Sequence, residues 1–240
     1  MTFQTPTQKS LYVNDMFARI AHRYDLMNRV MTGGQDSRWR RLLVKEAQLP
    51  PNGALLDIAT GTGDIAFEAL RQHPDLKLVV GADFTLPMMH IGQQRQVDLS
   101  GAIYGDVTWS GADTLHLPFP DNTFDAVVSG FLMRNVISVV LALAEQARVC
   151  KPGGRLLILE IPRPPNNLLG NMFRLYFHNV VPVIGGLISG EPDAYAYLPA
   201  SADAFLSPEE LKETLENVGL HHVTYQMLMF KTVALHTGIK

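Results

Sequence analysis

The fold is decided by the stretch Ala54-Leu55-Leu56-Asp57-Ile58-Ala59-Thr60-Gly61-Thr62-Gly63-Asp64. The apolar run 54–59 predicts a buried parallel strand, the two glycines predict a tight loop, and a helical pattern begins at Asp64. Glycine at 61 and 63 lets a ligand approach bare backbone at the carboxyl end of a sheet, because a Cβ would block that approach and the turn. The stretch therefore predicts a ligand-binding loop on a parallel α/β sheet.

Two kinds of nucleotide ligand fit this loop. Residues 61–66 match the dinucleotide pattern G-x-G-x-x-A, and Asp83 follows Gly63 by 20 residues, where a ribose-binding acid would stand. Residues 57–63 also match the S-adenosylmethionine pattern D-x-A-x-G-x-G, which adds Asp57. A carboxylate beside the loop suits an ammonium and a sulfonium and opposes a pyrophosphate. The methyl-donor interpretation is therefore favoured.

Length and composition indicate an ordinary globular enzyme. The 240 residues suit one sizeable α/β domain with an appended piece, and 47% hydrophobic with 18% charged residues allow a large core. A single cysteine, Cys150, excludes a disulfide framework and a cysteine zinc site, and we expect it to be a buried structural residue. The beginning of the sequence lacks a charged and an apolar leader region, so we expect a cytoplasmic protein.

Charge is unevenly distributed. The net charge of −3 gives no argument for a nucleic-acid partner, but residues 1–48 carry eight Lys or Arg against four Asp or Glu. Such a segment could touch an anionic lipid surface, which would place the protein at the inner face of the membrane. Ordinary solvated helix faces explain the same charges equally well.

The first 50 residues predict a helical lid. Apolar spacing over 9–31 is close to helical with a break near Tyr24-Asp25, and a second helix is predicted from Ser37 to Gln48. Pro50 and Pro51 mark the boundary with a main domain at 51–240. These helices pack either as a lid or as a structural brace.

The main domain alternates strands and helices, which predicts a doubly wound sheet. Predicted strands are 54–59, 76–83, a less defined one within 103–110, 124–129 and 155–161, with helices at 64–72, 86–97 and 137–150. A helix capped by Ser207 then leads to an antiparallel strand pair at 221–228 and 231–236. The fold class is α/β, with seven strands, mostly parallel, and helices on both faces.

An insertion at about 162–203 interrupts this alternation. Its apolar stretch 168–188 contains Arg174, His178 and Pro182, so a transmembrane helix is not expected. We expect the insertion to cover the substrate. Its methionines and aromatic residues can serve as core and as an apolar groove for a ligand tail.

A second block separates the two nucleotide interpretations. Residues 111–125 place Asp113 four residues before Leu117-Pro118-Phe119, followed by Asp121-Asn122-Thr123-Phe124-Asp125. This block resembles the adenine loop of class I methyltransferases, whose fold is a Rossmann-like sheet. The resemblance implies that Asp83 accepts the ribose hydroxyls, that Phe84 packs on the adenine and that Asp113 accepts its amino group. The full set of expected donor-binding residues is Asp57, Thr60, Gly61, Gly63, Asp83, Phe84, Asp113, Thr114 and Ser129.

Two further blocks resemble one family. Residues 17–41 contain Tyr24-Asp25-Leu26-Met27-Asn28 and Arg38-Trp39-Arg40-Arg41, and residues 130–160 contain Arg134-Asn135-Val136 and Leu159-Glu160. Both are similar to the signature regions of the ubiquinone/menaquinone biosynthesis C-methyltransferases (UbiE/MenG type), and the similarity extends over nearly the whole chain. This chain departs from the family at Gln35-Asp36-Ser37, at Leu132-Met133 and at Met229-Phe230-Lys231. These departures bear on the acceptor more than on methyl transfer.

The resemblance implies methylation of a ring carbon on a polyprenylated quinol, with demethylmenaquinol favoured over a methoxybenzoquinol. A neutral leaving group needs no metal, but the ring carbon becomes nucleophilic only when the adjacent hydroxyl, with a pKa of about 10, loses its proton. By analogy Arg134 would stabilise the phenolate or relay its proton, Asn135 would orient the hydroxyl and Tyr24 would be a third polar contact. His116 and His178 are alternative bases with a suitable intrinsic pKa.

Two rival hypotheses remain open from the sequence. One is a class I methyltransferase that acts on another small apolar acceptor. The other is a non-catalytic donor-binding scaffold of a quinone-synthesis complex, against which the presence of Arg134, Asn135 and Tyr24 speaks. Among partners we expect the quinol and S-adenosylmethionine but no nucleic acid, and peripheral membrane contact and a homodimer stay open.

Overall fold

Three helices precede the sheet in the computed structural model, which describes residues 5–99 and 105–240. Helix α1 (Pro6–Ile20) is capped by Thr5, whose hydroxyl accepts from the Gln8 amide. A 3₁₀ turn (Ala21–Arg23) separates it from α2 (Tyr24–Thr32), as the predicted break near Tyr24 requires. Helix α3 (Gln35–Glu46) follows after two glycines.

The remaining elements are, in chain order, β1 (Ala54–Ile58), α4 (Asp64–Gln72), β2 (Leu78–Asp83), α5 (Leu86–Asp98), β3 (Val107–Gly111), β4 (Phe124–Gly130), α6 (Val139–Val149), β5 (Cys150–Glu160), α7 (Leu168–Leu175), a π-helical turn (Tyr176–Val180), α8 (Val181–Ser189), α9 (Pro192–Asp203), α10 (Pro208–Asn217), β6 (His221–Leu228), a 3₁₀ turn (Met229–Lys231) and β7 (Val233–Ile239).

The seven strands form one sheet in the order β3-β2-β1-β4-β5-β7-β6. Strands β1 to β5 are parallel, and β7 pairs antiparallel with both β5 and β6. The predicted doubly wound, mostly parallel sheet with a closing antiparallel pair is confirmed. The order reverses between β1 and β4, so the carboxyl ends of these two strands flank the crevice in which such sheets bind ligands.

Several element boundaries differ from the sequence prediction. Strand β3, predicted within 103–110, spans Val107–Gly111, and residues 103 and 104 lie outside the described residues. Strand β5 begins at Cys150, before the predicted 155, because Cys150 pairs with Phe124 ahead of a shift in register. Strand β7 begins at Val233, after the predicted 231, because residues 229–231 all have positive φ and cannot continue a strand.

Among the residues that the structure describes, the interior consists of three apolar clusters. Two lie on the opposite faces of the sheet, and α3 contributes Trp39, Leu43 and Val44 to one of them. The third joins α1 and α2 to α8 and α9 through residues such as Met16, Met27 and Tyr195. We call the unit formed by α1, α2 and 162–203 the cap, and the division at residue 50 stays a prediction.

Within the described residues, no helix combines the length and the apolar character needed to cross a membrane.

Candidate active site

Two buried carboxylates accept hydrogen bonds from the loop after β1 and hold it in place. Asp57 is fully buried, and its Oδ2 accepts from the Thr60 hydroxyl at 2.7 Å and from the Ala66 amide at 3.2 Å. Asp83, at the end of β2, accepts from the Gly61 amide at 2.8 Å. Gly61 has a φ of 57°, in the left-handed region that favours glycine. These bonds fix the loop as a rigid backbone edge.

A cavity of about 180 Å³ lies against this edge, and we call it the loop cavity. It is far larger than the roughly 10–15 Å³ that one water needs. Predicted donor residues in its lining are Thr60, Gly61, Asp83, Phe84, Asp113 and Thr114. Helix α1 closes one side with Ser10, Val13 and Asn14.

Three predicted donor residues do not line the loop cavity. Asp57 faces the loop from the core, and burial raises the pKa of its carboxyl to about 7. Gly63 has a φ of 88°, and a Cβ there would lie 2.7 Å from the Trp109 ring, so this glycine serves close packing. Ser129 is fully buried in β4. Residue type and spacing place these three near the loop, but only the fold decides which side they face.

A second cavity, of about 100 Å³, lies between the sheet edge and the cap, and we call it the cap cavity. Its lining is mostly apolar and comes from both parts of the cap: Met16, Phe17, Ile20, Tyr24, Asn28, Met31, Phe173, Tyr176, Phe177, Ala194, Tyr195, Tyr197 and Leu198. Arg134 and Asn135 add polar groups from the segment after β4.

Four residues line both cavities and form a shared wall: Phe17, Tyr24, Phe131 and Asn135. Tyr24 begins α2, and burial raises the pKa of its phenol, so the hydroxyl keeps its proton at neutral pH. Phe131 has a φ of 59°, which is rare for a bulky side chain and typical of positions under functional constraint. The sequence analysis assigned no role to Phe131, and no sequence signal revealed this backbone conformation.

Arg134 is fixed by a buried ion pair with Glu160. Both side chains are almost fully buried, and the guanidinium Nη1 donates to Glu160 Oε1 and, at 3.1 Å, to the Phe131 carbonyl. Glu160 Oε2 also accepts from the Arg134 amide at 3.3 Å. Glu160 lines neither cavity. Its position was recoverable from sequence, since Glu160 ends β5 beside the strand that precedes Arg134.

The segment after β4 is also tied to α1. The Lys9 ammonium donates to the carbonyl oxygens of Val136 at 2.7 Å and Arg134 at 3.2 Å. Burial lowers the pKa of Lys9. The contact therefore joins the first helix of the cap to the residues expected to act on the acceptor.

Two polar atoms of the segment after β4 are buried at the cap cavity without a hydrogen-bond partner among the described residues. They are Arg134 Nε and Asn135 Oδ1. Buried polar groups are normally paired, and an unpaired one costs about 1–3 kcal/mol. One donor and one acceptor at an apolar cavity therefore suit a ring that carries oxygen substituents.

A charged network anchors α2 to the glycine loop. Arg95 donates to Asp25 at 2.9 Å, to Asp64 at 2.6 Å and to the Thr62 carbonyl at 2.9 Å, and the Thr62 hydroxyl donates to Asp25 at 2.7 Å. Burial and the neighbouring Asp64 raise the pKa of Asp25. Burial alone would raise the pKa of Asp64, but Arg40 and Arg95 hold it below its ordinary value. The sequence analysis assigned no role to Arg40 or Arg95.

The alternative bases lie elsewhere. His178 is 43% exposed and contacts Asp203 at 2.7 Å, and His116 is 84% exposed. Neither lines the loop cavity or the cap cavity.

The sheet order, the glycine loop and the adjoining cavity define a class I methyltransferase fold. Solved structures agree: the chain is similar to a SAM-dependent methyltransferase, possible histamine N-methyltransferase, from Thermotoga maritima, with 19% identity, a TM-score of 0.64 and coverage of 94% of this chain and 98% of that one. Phosphoethanolamine N-methyltransferase 2 of Haemonchus contortus, solved with S-adenosyl-L-methionine, has a TM-score of 0.59 at 14% identity, with coverage of 85% and 52%.

The chain belongs to the ubiE/COQ5 methyltransferase family, whose model matches residues 5–240. It is 46% identical to a demethylmenaquinone methyltransferase of Thermus thermophilus, covering 93% of this chain and 99% of that protein. It is 41% identical to a ubiquinone/menaquinone biosynthesis C-methyltransferase UbiE of Geobacter sulfurreducens, covering 100% and 93%. The family resemblance in the sequence is thus confirmed, and with it the prediction of a methyltransferase.

Proposed function

We propose that this chain transfers a methyl group from S-adenosylmethionine to a ring carbon of a polyprenylated quinol, with demethylmenaquinol as the acceptor. The observation that carries the proposal is the shared wall, because it sets a loop cavity suited to the donor directly against an apolar cavity suited to the acceptor. Relatives named demethylmenaquinone methyltransferase and UbiE support the choice of acceptor. The methoxybenzoquinol of the ubiquinone pathway is the alternative acceptor.

The loop cavity fits S-adenosylmethionine. Gly61 presents bare backbone, Asp83 brings a carboxylate to the cavity wall where a ribose hydroxyl can bind, and Thr114 Oγ1 and Asn14 Oδ1 are buried without a partner among the described residues. When bound, the donor supplies an electrophilic methyl group on a sulfonium. Phe84, 49% exposed at the cavity rim, has the free face needed to pack on an adenine.

The polar groups of the cap cavity hold the acceptor ring. The Glu160 carboxylate offsets the charge of Arg134, so the guanidinium acts on the acceptor as a directed N–H donor through Nε more than as a net charge. Asn135 Oδ1 accepts a hydrogen bond from the ring hydroxyl and so orients the ring. Tyr24 contacts the ring as a neutral phenol. Alignment of two reactants at contact distance contributes up to roughly 7–11 kcal/mol, which makes positioning the main task of these residues.

The cap is proposed to cover the acceptor. Helices α1 and α2 and the insertion share one apolar cluster and supply most of the cap-cavity lining. We further propose that the protein contacts the cytoplasmic face of a membrane peripherally, that it forms a homodimer and that it has no nucleic-acid partner.

Methyl transfer from labelled S-adenosylmethionine to a short-chain demethylmenaquinol, reduced in place, tests this function. We expect label in the ring carbon with the wild-type protein. Tyr24→Phe should lower kcat by about 10- to 100-fold, the effect of losing one strong hydrogen bond in the transition state. Tyr225→Phe is the matched control, because Tyr225 lies on the edge strand β6, donates its hydroxyl to Glu209 of α10 and lines neither cavity.

Donor binding without label in either a naphthoquinol or a benzoquinol would refute the proposed acceptor. Equal activity of Tyr24→Phe and Tyr225→Phe would refute the role of the shared wall.

A further inference from the structure

The insertion carries an apolar stripe on its outer side. Residues 168–189 form one helix interrupted by a π-helical turn, and large apolar side chains recur along its exposed face. Leu168 is 76% exposed and Leu187 is 81% exposed, and Leu169, Met172, Leu175, Val180 and Val183 lie between them. Scattered exposed leucines are ordinary, but a continuous apolar patch marks an interaction surface.

Helix α2 lies antiparallel beside this stripe. Arg23, just before α2, donates to the Ile188 carbonyl near the end of α8, while the Met31 carbonyl near the end of α2 accepts from the Tyr176 hydroxyl at 3.3 Å. On its outer side α2 exposes Leu26 (56%) and Val30 (44%). The two helices therefore form one broad apolar face.

The turn before β7 extends this face. Phe230 is 86% exposed and shares a shallow depression with Leu169 and Lys231. An exposed phenylalanine beside a lysine suits an apolar surface that enters the lipid headgroup region.

Exposed cations lie at the margins of this face. Residues 162–190 contain no Asp or Glu, and Arg23, Arg29 and Lys231 are exposed at its margins. The acid of α2, Asp25, is turned inward to Arg95 and Thr62. Apolar side chains bordered by cations are the combination that binds the interface of an anionic bilayer.

We propose that this docking face, formed by α2, residues 168–189 and the turn 229–231, binds the surface of an anionic lipid bilayer. The apolar stripe enters the headgroup region, and the cations at its margins contact lipid phosphates. The inner side of the same helices lines the cap cavity through Phe173, Tyr176 and Phe177. Docking would therefore place the cap cavity beside the hydrocarbon that dissolves the acceptor, and this last step rests on the proposed function.

Co-sedimentation of the full chain with phosphatidylcholine vesicles, with and without phosphatidylglycerol, tests the docking face. We expect binding to the anionic vesicles only, and a loss of about tenfold or more for Leu187→Glu, which puts a carboxylate into the stripe. Leu141→Glu is the matched control, because Leu141 is 55% exposed on α6, which packs against β4 and β5. It should bind as the wild type does.

A urea-unfolding midpoint equal to that of the wild type shows that each variant is folded, since Leu187 and Leu141 are both exposed. Methyl transfer to the short-chain quinol in detergent-free solution is measured separately. Equal binding of Leu187→Glu and Leu141→Glu would overturn the proposal, as would equal binding to neutral and anionic vesicles. A dimer that Leu187→Glu converts to a monomer, without vesicle binding, would show that a second copy covers this face instead. Vesicle binding that depends on Leu187, together with no methyl transfer, would uphold docking and refute the proposed function alone.

Discussion

Asp57 lies wholly inside the protein, and burial raises the pKa of its carboxyl to about 7. The folded state favours the protonated acid, so this residue costs no stability below its ordinary pKa of about 3.9. The cost grows as the pH rises from there to about 7 and is constant above, at roughly 4 kcal/mol.

Replacement by an uncharged amide removes this cost. The free energy of unfolding of Asp57→Asn, relative to that of the wild type, should rise by roughly 2–3 kcal/mol from pH 5 to pH 8. The amide oxygen still accepts from Thr60, but the amide, unlike the carboxyl, has no proton to lose over this range. Urea unfolding of both proteins across that range measures the difference. Asp75→Asn, at an exposed acid, is the control. A difference between Asp57→Asn and the wild type that stays constant with pH would contradict the assignment.

At the scale of single residues, sequence predicted positions better than orientations. Asp57, Asp83 and Asp113 all lie at the carboxyl edge of the sheet, as their spacing after apolar runs indicates. Yet Asp83 and Asp113 line the loop cavity while Asp57 faces the core. A strand position fixes the face of a side chain only once the register and the neighbouring helices are known. Phe131 was missed because no sequence signal revealed its left-handed backbone conformation.

The ion pair of Arg134 and Glu160 connects two neighbouring elements, the segment after β4 and the end of β5. Both side chains are almost completely withdrawn from water, at 5% and 0% exposed. Removing one partner of such a pair leaves an uncompensated buried charge, whereas replacing both with apolar residues is often neutral. Stability and function can therefore be separated at this site.

Glu160→Leu should lower the free energy of unfolding by about 3–5 kcal/mol because Arg134 then stays buried alone. The double variant Arg134→Met/Glu160→Leu should recover most of that stability and still lack methyl transfer, since the Nε donor is gone. Urea unfolding and the labelled-donor assay measure the two properties. An active double variant would show that the pair is only structural.

Among helices and strands, the ends were predicted well where neighbouring residues in the sequence alone determine them. Ser207 caps α10 in a complete capping box with Glu210, and the chain breaks into α2 at Tyr24, as predicted. The strand boundaries at Cys150 and Val233 were wrong. Pairing with β4 extends one of them, and left-handed residues that are not glycine shorten the other. Neither cause is visible in residue type or spacing.

The whole molecule consists of a sheet with a core on each face and a cap with a core of its own. The cap cluster includes Met16, Phe177 and Tyr197 and is separate from the two clusters of the sheet. Units with their own contacts open locally at a lower free energy than the global unfolding. The cap is therefore the part of the molecule that can admit a bulky acceptor.

Hydrogen exchange followed by mass spectrometry tests this division. In the free protein, amides of α1, α8 and α9 should exchange faster than those of β1 and β4, with the cap helices exchanging together. S-adenosylhomocysteine and a quinol added together should slow the cap helices and leave the sheet unchanged, since both cavities include cap residues in their linings. Uniform exchange across cap and sheet, with or without ligands, would show that the cap does not open as a unit.

The shared wall also limits how such a chain can diverge in evolution. A substitution at Phe17, Tyr24, Phe131 or Asn135 alters two binding partners at once, because each of these residues lines both cavities. A substitution at Phe173 or Tyr197 alters the cap cavity alone. Descendants that adopt a new acceptor while keeping the same donor should therefore accumulate their changes in the insertion, and inherit the wall almost intact.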